Sequence, residues 1–178
     1  MSSLKNVKRV AQHYGDLIVE RAQLELGTRR SMKSGRGKTY SGRKVATDTL
    51  RKNLSVVLSA QKAKFSLEFG AKGAASKYAY YVHEGRSKGK RPPIHELVEW
   101  LRRKGIRPRN KETGAFEKST EKKLEGIAYV IARSIGKYGI PEFPYYRMAL
   151  KKYDTEMSDA LLDAVVEDVN IVFDKEGI

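Results

Sequence analysis

The chain has no cysteine, one tryptophan, three histidines and five prolines in 178 residues. Without cysteine there can be no disulfide and no thiolate metal site, which suits a protein made in a reducing cytoplasm. Three scattered histidines are a poor ligand set for zinc when no cysteine supports them. No apolar run approaches the ~18 residues of a membrane span, so no membrane partner is expected. Met1-Ser2-Ser3-Leu4-Lys5 lacks the apolar core of an export signal. The hydrophobic fraction of 40% suits a globular chain, and the length suits a single domain over residues 1–178.

What the chain does have is positive charge, +15 in total, and it is placed unevenly. Residues 28–64 carry eleven Lys/Arg against one Asp, and residues 86–111 carry ten against two acids. Residues 112–178 reverse the balance, with nine bases and thirteen acids. The surplus therefore sits in two Gly-, Ser- and Pro-rich stretches, read as a flexible basic loop over 28–46 and a basic insertion over 86–111. Like charges blocked in this way point to an anionic partner, either DNA or an acidic surface on another copy of the chain. The residues expected to touch it are Arg29, Arg30, Lys33, Arg36, Lys38, Arg43 and Lys44 in the first stretch. Arg86, Lys88, Lys90 and Arg91 are expected to do so in the second. The competing reading is that these side chains only keep the surface solvated.

Periodicity organises the rest. Leu4, Val7, Val10, Tyr14, Leu17, Ile18 and Leu24 recur at helical spacing and predict a helix over 4–26, about 35 Å long, stopped by Gly27. After a turn at 47–53, Leu54, Val56 and Leu58 alternate, as do Phe65, Leu67 and Phe69, which predicts a β-hairpin over 54–70. Ser76 is placed to cap a short helix carrying Tyr78, Tyr81 and Val82 and ending at Gly85. Pro92-Pro93 opens a helix with Ile94, Leu97, Val98 and Leu101 on one side, and residues 106–119 read as a polar loop. Leu124, Ile127, Ala128, Ile131 and Ile135 mark another amphipathic helix, closed near Gly136 or Gly139. A last helix begins at Tyr145, its face marked by Met148, Met157, Leu161, Val165 and Val169. Val169, Ile171 and Phe173 alternate, so 169–173 is readable as a strand as well as helix. The expected fold class is α+β: a small antiparallel sheet packed with a long N-terminal helix and several further helices.

No catalytic constellation emerges. Gly35-Arg36-Gly37-Lys38-Thr39 has the second half of a phosphate-binding loop, but the first glycine of that pattern is Met32. His83-Glu84 and His95-Glu96 begin like zinc-protease helices, yet Ser87 and Glu99 stand where the second histidine belongs. Asp159, Asp163 and Glu167 recur every four residues, the spacing of a solvated helix face. No serine, histidine and acid stand in a nucleophile arrangement, so neither an enzyme nor a cofactor is expected. Helix-turn-helix, zinc-finger and aromatic-sheet signatures of nucleic-acid modules are absent as well.

Two aromatic segments remain, Tyr78-Ala79-Tyr80-Tyr81-Val82-His83-Glu84-Gly85 and Pro141-Glu142-Phe143-Pro144-Tyr145-Tyr146-Arg147-Met148-Ala149-Leu150. Together they hold five of the ten tyrosines. Aromatics at helix boundaries anchor packing or interfaces, and Tyr78, Tyr81, His83, Phe143, Tyr145, Tyr146 and Arg147 are the candidate anchors. Trp100 joins them, with the core as its expected place and an interface as the alternative.

These segments, in order with Thr47-Asp48-Thr49-Leu50-Arg51-Lys52-Asn53-Leu54 ahead of the hairpin, resemble a known family. The first is similar to its Thr-Gly-x-Leu-Arg-x-Ser-Ile stretch, the second to Tyr-Ala-x-Tyr-Val-His/Glu-x-Gly, and Pro144–Leu150 to Pro-Phe-Leu-Arg-Pro-Ala-Leu. The family comprises the tail-component and head–tail joining (neck, or tail-completion) proteins of tailed bacteriophages, and the resemblance spans about residues 1–155. Asp48 stands where the family has glycine, Met148 where it has a second proline, and Arg86–Arg109 is longer than in compact members. The resemblance implies a non-enzymatic virion protein of the neck or tail, assembled in the bacterial cytoplasm as a sixfold or twelvefold ring. Its neighbours would be connector or adaptor, tail terminator or tail tube proteins, with genomic DNA in the channel.

Overall fold

The computed structural model describes residues 4–33, 37–42, 48–61, 64–110 and 112–176. It is α+β, dominated by helices, with two separate two-stranded antiparallel sheets. The chain forms two compact units, each assembled from separated stretches. The first takes residues 1–27, 50–79 and 144–178, and the second takes 28–49 and 80–143.

In the first unit, α1 (Lys5–Gly27) packs along α6 (Tyr145–Glu176) and across the hairpin of β3 (Leu54–Gln61) and β4 (Lys64–Ala71). Hairpin pairing sets Val56 opposite Phe69 and Leu58 opposite Leu67, so the expected apolar faces coincide. The helix approaches this face at Gly15, where an added Cβ would lie 3.2 Å from Val56 Cγ2. Small side chains make the approach possible: Ala11, Gly15 and Ala22 are buried together with Val7, Ile18 and Leu26. Leu24, expected on the packed face, is exposed instead, because the buried seam runs through the small residues rather than through every large one. A one-turn helix α2 (Thr49–Lys52) buries Leu50 just before the hairpin. A 3₁₀ turn at Gly73–Ala75 leads into α3 (Ser76–His83). Ser76 is not a cap: it lies inside the helix and its hydroxyl donates to the Gly73 carbonyl.

One open choice closes here and one expectation is corrected. Residues 169–173 are helical, the final turns of α6; three alternating residues do not outweigh a helix already running for more than twenty. Of the expected α6 face, Met148, Met157 and Leu161 are half-buried but Val165 and Val169 are exposed, and the fully buried positions are Tyr145, Ala149, Ala164 and Asp168.

In the second unit, α4 (Ile94–Arg103) and α5 (Glu121–Tyr138) share an apolar core of Val98, Leu101, Leu124 and Ala128, flanked by Ile94, Leu97, Ile127 and Ile131. Each such side chain contributes about 1.5–3 kcal/mol when fully buried. Helix α4 closes as a Schellman motif: Gly105, at φ 63°, donates to the Arg102 carbonyl and Ile106 to the Leu101 carbonyl. The loop to α5 is ordered by Asn110, whose Oδ1 accepts from the Glu112 and Thr113 amides, and by an antiparallel bridge between Arg109 and Phe116. The 28–46 stretch, expected to lack regular structure, contains a second hairpin. Here β1 (Arg30–Lys33) pairs with β2 (Thr39–Gly42), Arg30 opposite Gly42 and Lys33 opposite Thr39. Strands of four residues with one large apolar or aromatic side chain each carry no apolar alternation to announce them.

Candidate interaction surface

The aromatic segments contribute to both units, and their polar ends are fixed in each. In the first unit Tyr145 is 1% exposed and its hydroxyl donates to the Ala79 carbonyl at 3.3 Å. Tyr146 donates to the Gly70 carbonyl at 2.6 Å and lies 3.2 Å from that of Ser55, tying α6 to both strands at the open end of the hairpin. The two rings lie 4.9 Å apart, and Phe69 stacks on Tyr146 at 5.1 Å. Burial pushes the Tyr145 hydroxyl up to about 12, with Tyr78 adding to it, and pushes Tyr146 higher still.

In the second unit, Arg86 and Ile140 exchange backbone hydrogen bonds at 2.8 Å, and the Phe143 amide donates to the Val82 and His83 carbonyls that end α3. Phe143 is buried. Two glycines allow this approach. A Cβ on Gly85 would lie 2.6 Å from the Ile140 oxygen, and one on Gly139 would collide with the Arg86 carbonyl oxygen. Both residues have positive φ, 77° and 72°.

The remaining candidate anchors stand outward. Tyr81 is 56% exposed, and Tyr78 and Trp100 are each 37% exposed, so the expectation of a core tryptophan is not met within the chain. Half-buried His83 holds Glu84 through Nδ1 at 2.7 Å, and Arg147 lies on the exposed side of α6.

Basic charge is confined more sharply than the linear sequence suggests. The second unit holds 22 Lys/Arg against nine acids, +13, and the first holds 14 against 12, +2. On the β1–β2 hairpin Arg29 Nε donates to Ser41 Oγ at 3.3 Å, Lys33 and Lys38 are exposed, and Arg30 is half-buried. Arg36, Arg43 and Lys44 lie outside the described residues. In the loop before α4, Arg86 closes a turn on the Lys90 carbonyl, while Lys88, Lys90 and Arg91 are exposed. The structure adds Arg133 and Lys137 to the expected Arg91. Arg91, Arg133 and Lys137 line one pocket of about 280 Å³ with Gly89 and Gly136, and no carboxylate lines it. The Arg91 guanidinium lies 5.8 Å from the centre of the Tyr129 ring. The signal for Arg133 and Lys137 was present as helical spacing from Tyr129, but it was hidden behind the stronger apolar period of the same helix.

Among the described residues, no group of three or more histidine or acidic side chains could hold a metal ion, and no helix is long and apolar enough to cross a membrane. Comparison with protein-family models, with characterised proteins and with solved structures finds no match to this chain.

Proposed function

We infer that this chain is a non-enzymatic structural protein of a tailed-bacteriophage virion that joins or completes the tail at the neck. The observation carrying this reading is that residues 50–54, 78–79 and 144–150, parts of all three stretches resembling that family, belong to the first unit and pack together there. Leu50 is buried ahead of the hairpin and Leu54 at its start, Tyr146 binds both strands at the hairpin's open end, and Tyr145 binds Ala79. Residues scattered over a hundred positions thus form one framework, while the basic surplus and several aromatics are left for partners. Electron microscopy of particles made with and without the chain tests the reading. Filled heads and finished tails that fail to join are expected without it; normal virions reject the role.

A second reading is sequence-independent DNA binding, favoured by the +13 of the second unit. Phosphate contacts of that kind give a binding constant that falls steeply with salt, roughly 0.9 in log–log slope per phosphate neutralised. The purified chain mixed with duplex DNA over a salt series distinguishes the two. Absence of binding at low salt removes this second reading.

A further inference from the structure

Helix α6 is apolar on two opposite sides. Ala164, with half-buried Met157 and Leu161, faces inward in the first unit around the buried acid Asp168. On the opposite side Leu162, Val166, Val169 and Phe173, at i, i+4, i+7 and i+11, form a second stripe whose members are 40–66% exposed. Asp159, Asp163 and Glu167, all exposed, run along one edge of that stripe. A helix apolar on both sides is normally covered on both.

Helix α5 carries the opposite chemistry on its solvent face. Lys122, Arg133 and Lys137 are interleaved there with Tyr129 and Val130, all exposed. Gly126 lies on the same face with nothing within 4 Å of its Cβ position, so a second helix can come close. The α6 stripe is about 17 Å long and the α5 face from Lys122 to Lys137 about 22 Å, at 1.5 Å per residue.

We propose that the outer face of α6 on one copy docks on the outer face of α5 on the next copy. This deepens the reading of the chain as a ring subunit and rests on it. The acids along α6 meet Arg133 and Lys137, and the apolar stripe covers Tyr129, Val130 and the gap at Gly126. A DNA backbone would engage the cations but has no use for the aliphatic and aromatic residues between them. The two patches differ, so the contact is heterologous and propagates head to tail, closing into a ring where its rotation permits.

The test is sedimentation velocity on the full chain and charge-reversed variants, with thermal melts to establish that each is folded. Wild type is expected to self-associate, and D163K/E167K and R133E/K137E each to weaken association tenfold or more. Mixing the two variants, or combining all four changes in one chain, is expected to restore it, because the opposite charges again face each other. Wild type that stays monomeric overturns the proposal, as do folded variants that associate like wild type or a combined variant that is not rescued. Loss of duplex DNA binding in R133E/K137E, with D163K/E167K assembling normally, assigns the α5 face to DNA and also overturns it. The neck reading fails separately: normal virions without the chain reject it, whereas a monomeric chain still needed for head–tail joining rejects only this contact.

Discussion

The Asp168 carboxylate, 2% exposed, accepts hydrogen bonds from the Asn6 backbone amide at 3.0 and 3.1 Å and from that of Val7 at 3.0 Å. Helix α1 starts after Leu4, which has no side-chain acceptor, and has no acid in its first turn. Its exposed amides are therefore satisfied by a residue near the other end of the chain. Asp168→Ala is expected to cost about 2 kcal/mol, the upper range for losing an N-cap. Asp168→Asn, which keeps one acceptor oxygen, should cost less. Urea unfolding of both variants measures this, and wild-type midpoints would refute the capping role.

Tyrosines of the two aromatic segments should respond differently to truncation. Tyr145→Ala removes a fully buried ring and is expected to cost roughly 3–5 kcal/mol. Sequence alone gave Tyr81 the same weight, but at 56% exposure Tyr81→Ala should change the stability of the isolated chain by less than ~1 kcal/mol. Thermal melts of the two variants side by side decide it.

Alkaline pH should loosen the first unit. The Tyr145 proton is held to about 12, above the ordinary 10.0, by burial. The folded state thus retains a proton that the unfolded chain gives up. The stabilisation is complete below pH 10 and is lost as pH rises from 10 toward 12. Tyr146 acts in the same direction, its proton held by burial and by Tyr145. The double variant Y145F/Y146F should therefore lose less stability than wild type between pH 9 and 11. Parallel curves for the two proteins would contradict this.

Gly139→Ala should be more damaging than Gly114→Ala, although the two have nearly equal φ, 72° and 70°. At Gly114 nothing lies within 4 Å of the Cβ position, leaving only left-handed strain of about 1–2 kcal/mol. At Gly139 the backbone, with ψ −165°, lies outside the left-handed helical well, and the methyl group also strikes the Arg86 carbonyl, displacing the Arg86–Ile140 bridge. Equal melting temperatures for the two variants would remove the close-approach argument.

Elements with a strong period were legible in the sequence. The 54–70 hairpin and the helices α1, α4 and α5 each show a run of apolar residues at one spacing, long enough to outvote local noise. The β1–β2 hairpin was not legible, because Arg30–Lys33 and Thr39–Gly42 have too few apolar side chains to show a period. Helix α6 was legible at its start but not at its end, where two apolar stripes on one helix imitate alternation. Asp168 was hidden among neighbouring acids. Only its inward position separates it from Glu167, and nothing local records that its partner is Asn6.

The bond from Asp168 to Asn6 also sets an order of events. Helix α1 leaves the ribosome long before its cap and its long packing partner α6. Closing a loop of that length costs little more than closing one half as long, about 0.6 kcal/mol per doubling, so the obstacle is timing rather than free energy. Through most of synthesis Val7, Ile18 and Leu26 wait uncovered. The second unit can form its α4–α5 core from consecutive elements meanwhile. A chain truncated before residue 145 should therefore show protease protection over 94–138 and much weaker protection over 5–27 than the full chain has.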